Sequence, residues 1–145
     1  MVKRSTKKTA LRKVAIVTGG GTGLGRDIAN TLARDGFNVA IVGRRANRLR
    51  MKKGEKRLFA YPGDVGNPDD IKAIVRGVRD RFGRIDAVVC HTAHPPKGDL
   101  LAIDDEAWHL GLDMLILNVV RLTRAITPMM EEQGGGAWVN ISTFA

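Results

Sequence analysis

The sequence has 145 residues, 43% of them hydrophobic, with 24 Lys and Arg against 15 Asp and Glu for a net charge of +9. A chain of this length buries roughly 68–70% of the surface it exposes when unfolded, which suits one domain with its own core and excludes a scaffold held by disulfides or a structural metal. Cys90 is the single cysteine, no Cys/His cluster has zinc-ligand spacing, no apolar run reaches the ~18 residues of a membrane span, and the basic amino terminus lacks a signal peptide's apolar stretch; the expectation is a cytoplasmic protein with no metal and no membrane partner.

The charge sits in two blocks. Residues 1–13 hold six bases and no acid, residues 44–57 hold eight bases against Glu55, and the remainder is slightly acidic. Residues 1–11 read as a basic, disordered tail and residues 12–145 as one domain. Such blocks attract phosphate, so nucleic acid is a rival partner, and the weaker one because the body of the chain carries no basic excess.

From residue 13 onward, β-branched runs alternate with helix-length amphipathic segments, which predicts βαβ units and a parallel sheet. The run Lys13 to Val17 is the first strand, followed at once by the glycine-rich stretch Thr18 to Gly25. A helix over about Leu24 to Arg34 places Ile28, Ala29 and Leu32 on one side, with Gly36 as its C-cap. Phe37 to Val42 is the second strand, and a short basic helix is expected over Ala46 to Lys53. Arg57 to Tyr61 is the third strand. Asn67 then caps a helix with Pro68 at its first position and Asp69 and Asp70 in its first turn, where the helix dipole favours acids. Ile85 to Cys90 is the fourth strand, apolar on both faces as a central parallel strand requires. A long helix is expected from about Asp105 to Glu132, kinked or broken at Pro128, and Ala137 to Ser142 is the fifth strand.

The glycine stretch carries the strongest chemical signal. A phosphate held at a helix N-terminus needs close approach to backbone N–H groups, and Gly19, Gly23 and Gly25 remove the side chains that would prevent it. The segment nearly matches a nucleotide-triphosphate loop, but Arg26 stands where Lys belongs and Asp27 where the magnesium-binding hydroxyl belongs. At the end of the second strand, Gly43 offers no carboxylate to a ribose 2′-hydroxyl, while Arg44 and Arg45 offer two guanidinium forks to a 2′-phosphate.

Four landmarks in order, Thr18-Gly19-x-x-x-Gly23-x-Gly25, Asp64-Val65, Ile85-Asp86-x-Val88-Val89 and Gly136 to Ser142, resemble those of the short-chain dehydrogenase/reductase family over about Arg12 to Ala145. The resemblance implies a doubly wound Rossmann-type α/β fold with strand order 3-2-1-4-5, here ending after strand five. It implies hydride transfer between a nicotinamide coenzyme and a carbonyl/alcohol substrate, with 3-oxoacyl-type ketone reduction as an example. NADP(H) is the expected coenzyme and NAD(H) the alternative. The coenzyme-binding set implied is Thr18, Gly19, Thr22, Gly23, Leu24, Gly25, Arg44, Arg45, Asp64, Val65, His91, Thr92 and Ala93. A homo-oligomer is implied for the full-length form.

The chain departs from the family pattern at its chemistry. Cys90-His91-Thr92-Ala93 replaces an Asn-Asn-Ala-Gly motif, with His91 expected under the coenzyme as a substitute hydrogen-bonding group and Cys90 as packing. The family's catalytic Asn falls on Leu115, with Asn118 one turn on, and its Ser falls on Thr143, beside Ser142. The Tyr-x-x-x-Lys pair would fall beyond residue 145, so these residues are expected to be the front portion of such an enzyme. A non-catalytic dinucleotide-binding module is the alternative.

Overall fold

The computed structural model describes residues 12–92 and 94–142. The expected tail 1–11, Ala93 and Thr143 lie outside the described residues. The elements in chain order are β1 (Val14–Thr18), α1 (Gly23–Arg34), β2 (Asn38–Gly43), a 3-10 turn (Ala46–Leu49), β3 (Leu58–Pro62), α2 (Pro68–Phe82), β4 (Ala87–Cys90), α3 (Asp105–Leu112), a π turn (Asp113–Leu117), α4 (Asn118–Glu132) and β5 (Ala137–Asn140). The strands form one parallel sheet in the order β3-β2-β1-β4-β5, as the doubly wound fold requires.

Alternation along the strands builds a core on each side of the sheet. Val14 and Ile16 of β1 face one layer with Ile71, Ile74 and Val78 of α2 and with Leu122, Ile126 and Met130 of α4. Ala15 and Val17 face the other, with Ala29 of α1, Val39 and Ile41 of β2, and Leu49. Every residue of β1 is buried, so this strand reads as a continuous apolar run. Each large aliphatic side chain buried this way contributes about 1.5–3 kcal/mol.

The helix ends follow local chemistry. Asn67 accepts hydrogen bonds from the N–H groups of Asp69 and Asp70, at 2.8 and 3.3 Å, with Pro68 opening the helix. Gly83, at φ +71°, closes α2 in the left-handed conformation that favours glycine.

Several boundaries differ from the sequence expectation. The first four strands begin one or two residues later than expected. The first three extend one residue further, and the fifth ends at Asn140 instead of Ser142 although Ile141 N–H still donates to Cys90 O at 2.9 Å. The basic helix is one 3-10 turn, because the Glu55 carboxylate accepts the Lys52 N–H at 2.6 Å and draws the chain into a second turn. The long helix runs through Pro128 without ending, and its irregularity lies fifteen residues earlier. There the Asn118 N–H reaches back five residues to Asp113 O, while the Asn118 side-chain amide donates to Met114 O at 2.5 Å, taking the carbonyl an α-helix would assign to its backbone.

Candidate functional site

A cavity of about 530 Å³ opens at the carboxyl ends of the strands. Its wall takes Gly19 from the end of β1, Gly43 from β2, Gly63 from the end of β3 and His91 from the end of β4. Here the strand order reverses direction between β1 and β4, the place where open α/β sheets hold ligands.

The floor is built by β1 and β4 together. The Thr18 hydroxyl donates to His91 O and accepts from His91 N–H, both at 2.8 Å, locking the two strand ends to each other. Gly19 follows at φ +63°, and a methyl group there would stand 2.6 Å from His91 Nδ1 and 2.7 Å from His91 O. Glycine is therefore required twice, for conformation and for space. Gly25, buried in the first turn of α1, meets the Gly19 carbonyl just as closely. Gly23 differs: at φ +52°, a methyl group there would meet nothing within 4 Å.

Helix α1 opens toward this turn. Its N-cap Thr22 makes no side-chain cap hydrogen bond, and its first turn carries no acid. The first N–H groups are thus left to an anion, which the helix dipole favours. Arg44, Arg45 and Arg48 line another stretch of the wall. A third stretch holds Asp64 and Val65, where Asp64 is fixed at both ends: its N–H donates to Asp70 Oδ2 at 2.7 Å and its Oδ1 accepts from Gly66 N–H at 2.9 Å. A further stretch of wall comes from the irregular helix turn, with Asp113, Met114 and Asn118. Arg121 ties that wall to the Asp64 loop, pairing with Asp113 at 2.7 Å and donating to Gly66 O at 2.8 Å.

Among the described residues, two buried polar atoms on this cavity have neither a hydrogen-bond nor an ion-pair partner, His91 Nδ1 and Asn118 Oδ1. Buried polar groups ordinarily find a partner, so two such atoms on one cavity suit a polar ligand. Cys90 has no such role: it is 4% exposed, and burial pushes its thiol up to about 11.

Of the residues singled out from the sequence, Gly19, Thr22, Arg44, Arg45, Asp64, Val65, His91 and Thr92 line the cavity. Thr18, Gly23, Leu24 and Gly25 do not line it; Thr18 and Gly25 act from behind through the contacts above, and Leu24 is 53% exposed. Ser142 is exposed and off the cavity wall, while Thr143 and Ala93 fall outside the described residues. Sequence reasoning missed Arg48, Asn67, Asp113 and Met114 as wall residues. Arg48 had a signal in the basic block. The others had none, because the irregular turn and the α2 cap enter the cavity only through tertiary packing.

The profile of the short chain dehydrogenase family matches residues 13–145. The chain belongs to that family. Among its relatives, the 3-oxoacyl-(acyl-carrier-protein) reductase FabG of Staphylococcus aureus is 30% identical over 139 residues, covering 92% of this chain and 56% of that one. A short-chain dehydrogenase from Streptomyces avermitilis superposes with a TM-score of 0.86 at 30% identity, over 91% of this chain and 49% of that one. The L-sorbose reductase of Gluconobacter frateurii, solved with NADPH and L-sorbose, gives 0.84 at 31% identity, over 89% and 51%. The chain thus spans about half the length of the relatives it matches. Among the described residues, no helix is long and apolar enough to cross a membrane.

Proposed function

We propose that residues 12–145 form the coenzyme-binding portion of an NADP(H)-dependent oxidoreductase acting on a carbonyl/alcohol pair. The observation that carries this reading is the cavity itself, with an uncapped helix N-terminus beside a glycine turn on one wall and Arg44, Arg45 and Arg48 on another. That pairing suits a ligand with a pyrophosphate and a second phosphate beyond it. The NADPH-bound sorbose reductase, similar in fold, supports the same coenzyme.

In this reading the turn from Thr18 to Gly25 holds the pyrophosphate through backbone N–H groups, Arg44 and Arg45 hold the 2′-phosphate, and Asp64 and Val65 bound the adenine. His91, Thr92 and Ala93 lie under the nicotinamide ribose, with His91 Nδ1 meeting a polar group of the coenzyme. When bound, NADP(H) supplies or takes the hydride. Thr143 or Ser142 orients the substrate oxygen. The Tyr/Lys acid-base pair of the family has no counterpart at these positions. A non-catalytic dinucleotide-binding module is the second reading, and Leu115, exposed where the family pattern asks for Asn, favours it.

Calorimetric titration with NADPH and with NADH tests the reading. The expected result is saturable one-site binding with NADPH at least about tenfold tighter, the order of one charge-assisted hydrogen bond. Equal affinities would remove the role given to the arginines.

A further inference from the structure

The basic segment after β2 is anchored at its far end by an ion pair that takes no part in lining the cavity. Arg26, in the first turns of α1, is 8% exposed. Its Nη2 donates to Arg50 O at 3.1 Å and pairs with the carboxylate of Glu55. That carboxylate also accepts the Lys52 N–H at 2.6 Å, so a single oxygen gathers α1 and residues 50–55 together. Between the anchor and β2, Leu49 is buried, with its Cδ2 3.3 Å from where a Gly21 methyl group would stand and 3.5 Å from that of Gly43. Arg48 O approaches the Gly21 position to 3.2 Å. The stretch carrying Arg44, Arg45 and Arg48 is therefore pinned to the glycine turn in its middle and to α1 at its end.

We propose that Arg26 and Glu55 are positioning residues for coenzyme selection: by clamping residues 50–55 onto α1 they hold the arginine segment where it meets a 2′-phosphate. The inference rests on the NADP(H) reading above. Of the pair, Glu55 is the informative member, because two effects of its charge oppose each other. Removing an acid from a basic block raises the local positive potential, which by Coulomb attraction alone would tighten a phosphate-bearing ligand. Loosening the clamp would weaken it, since ligand groups must be held within about 0.5 Å of their working geometry.

The test is Glu55→Gln, which keeps the side chain's size, with Arg26→Lys, which keeps the charge, as the second variant. NADPH and NADH dissociation constants are measured on the whole chain, together with trypsin cleavage within residues 48–57 in the absence of coenzyme. The expected result for Glu55→Gln is NADPH weakened about tenfold, the scale of one charge-assisted hydrogen bond, with NADH little changed and cleavage accelerated. Arg26→Lys shifts the same ratio in the same direction and by less. Unchanged or tighter NADPH binding by Glu55→Gln would overturn the proposal, and so would equal weakening of both coenzymes, which marks a merely structural pair. A wild-type chain with no preference for NADPH would instead overturn the functional reading on which the proposal rests.

Discussion

Replacing Gly19 and Gly23 by alanine, one at a time, separates two reasons for a glycine that the sequence shows side by side. Both have positive φ, +63° and +52°, so each alanine incurs a left-handed strain of about 1–2 kcal/mol. At Gly23 the methyl group meets nothing within 4 Å, and the strain is the whole effect. At Gly19 the same methyl group stands 2.7 Å from the His91 carbonyl oxygen, a backbone atom that Thr18 holds in place and that cannot rotate away. Relief requires the ends of β1 and β4 to separate, an overpacking of about 1–3 kcal/mol on top of the strain. For a domain of this size each kcal/mol lowers Tm by about 3 °C, so Gly23→Ala is expected to lose about 3–6 °C and Gly19→Ala about 6–15 °C. Thermal melts followed by circular dichroism give both numbers. Melting points within about 2 °C of each other, less than 1 kcal/mol on this scale, would mean that the contact with His91 costs nothing.

Arg44→Ala is expected to weaken NADPH about tenfold or more while NADH changes little, as measured by calorimetry; parallel losses would show that Arg44 meets no 2′-phosphate. Asn67→Ala removes the acceptor for two N–H groups at the start of α2 and is expected to destabilise the chain by about 1 kcal/mol in urea titration. Cys90 should be nearly inert to iodoacetamide in the folded chain: with its thiol at about 11, only about a thousandth is ionised at pH 8, so labelling rises with pH and becomes fast only in denaturant. A polypeptide of these 145 residues is expected to show no measurable ketone reduction, since its one tyrosine, Tyr61, lies in β3 with its hydroxyl donating to Gly77 O at 3.2 Å, and a positioned acid contributes about 10²–10⁴-fold. Turnover that His91→Ala abolishes would make His91 that acid.

The parts of the fold that were legible in the sequence are those where a local rule decides alone. The five-strand order followed from alternating apolar runs read with the family landmarks, and the α2 cap followed from Asn67-Pro68-Asp69-Asp70, where side-chain acceptor, fixed φ and dipole agree. The glycine turn was legible as a class of turn, but not its division of labour: that Gly19 abuts His91, seventy-two residues away, while Gly23 faces open space, is a fact of tertiary packing. The irregular turn at Asp113–Leu117 was hidden because it arises from the Asn118 side chain competing with its own backbone for Met114 O, and an Asn within a helical pattern shows no such choice. At Pro128 the helix does not break, since α4 continues through it. The Arg26–Glu55 pair spans twenty-nine positions and had no sequence signal beyond one acid in a basic block.

Whether one dinucleotide occupies the cavity at the strand ends can be read residue by residue from backbone amide resonances during an NADPH titration. Binding there gives saturable shifts concentrated at Gly19 to Thr22, Arg44 to Arg48, Asp64 to Gly66 and His91 to Thr92, which surround the cavity from four strand ends. Shifts confined to the outer groove of α1 around Asn30, Arg34 and Arg57, or spread over the basic residues without saturation, would contradict it.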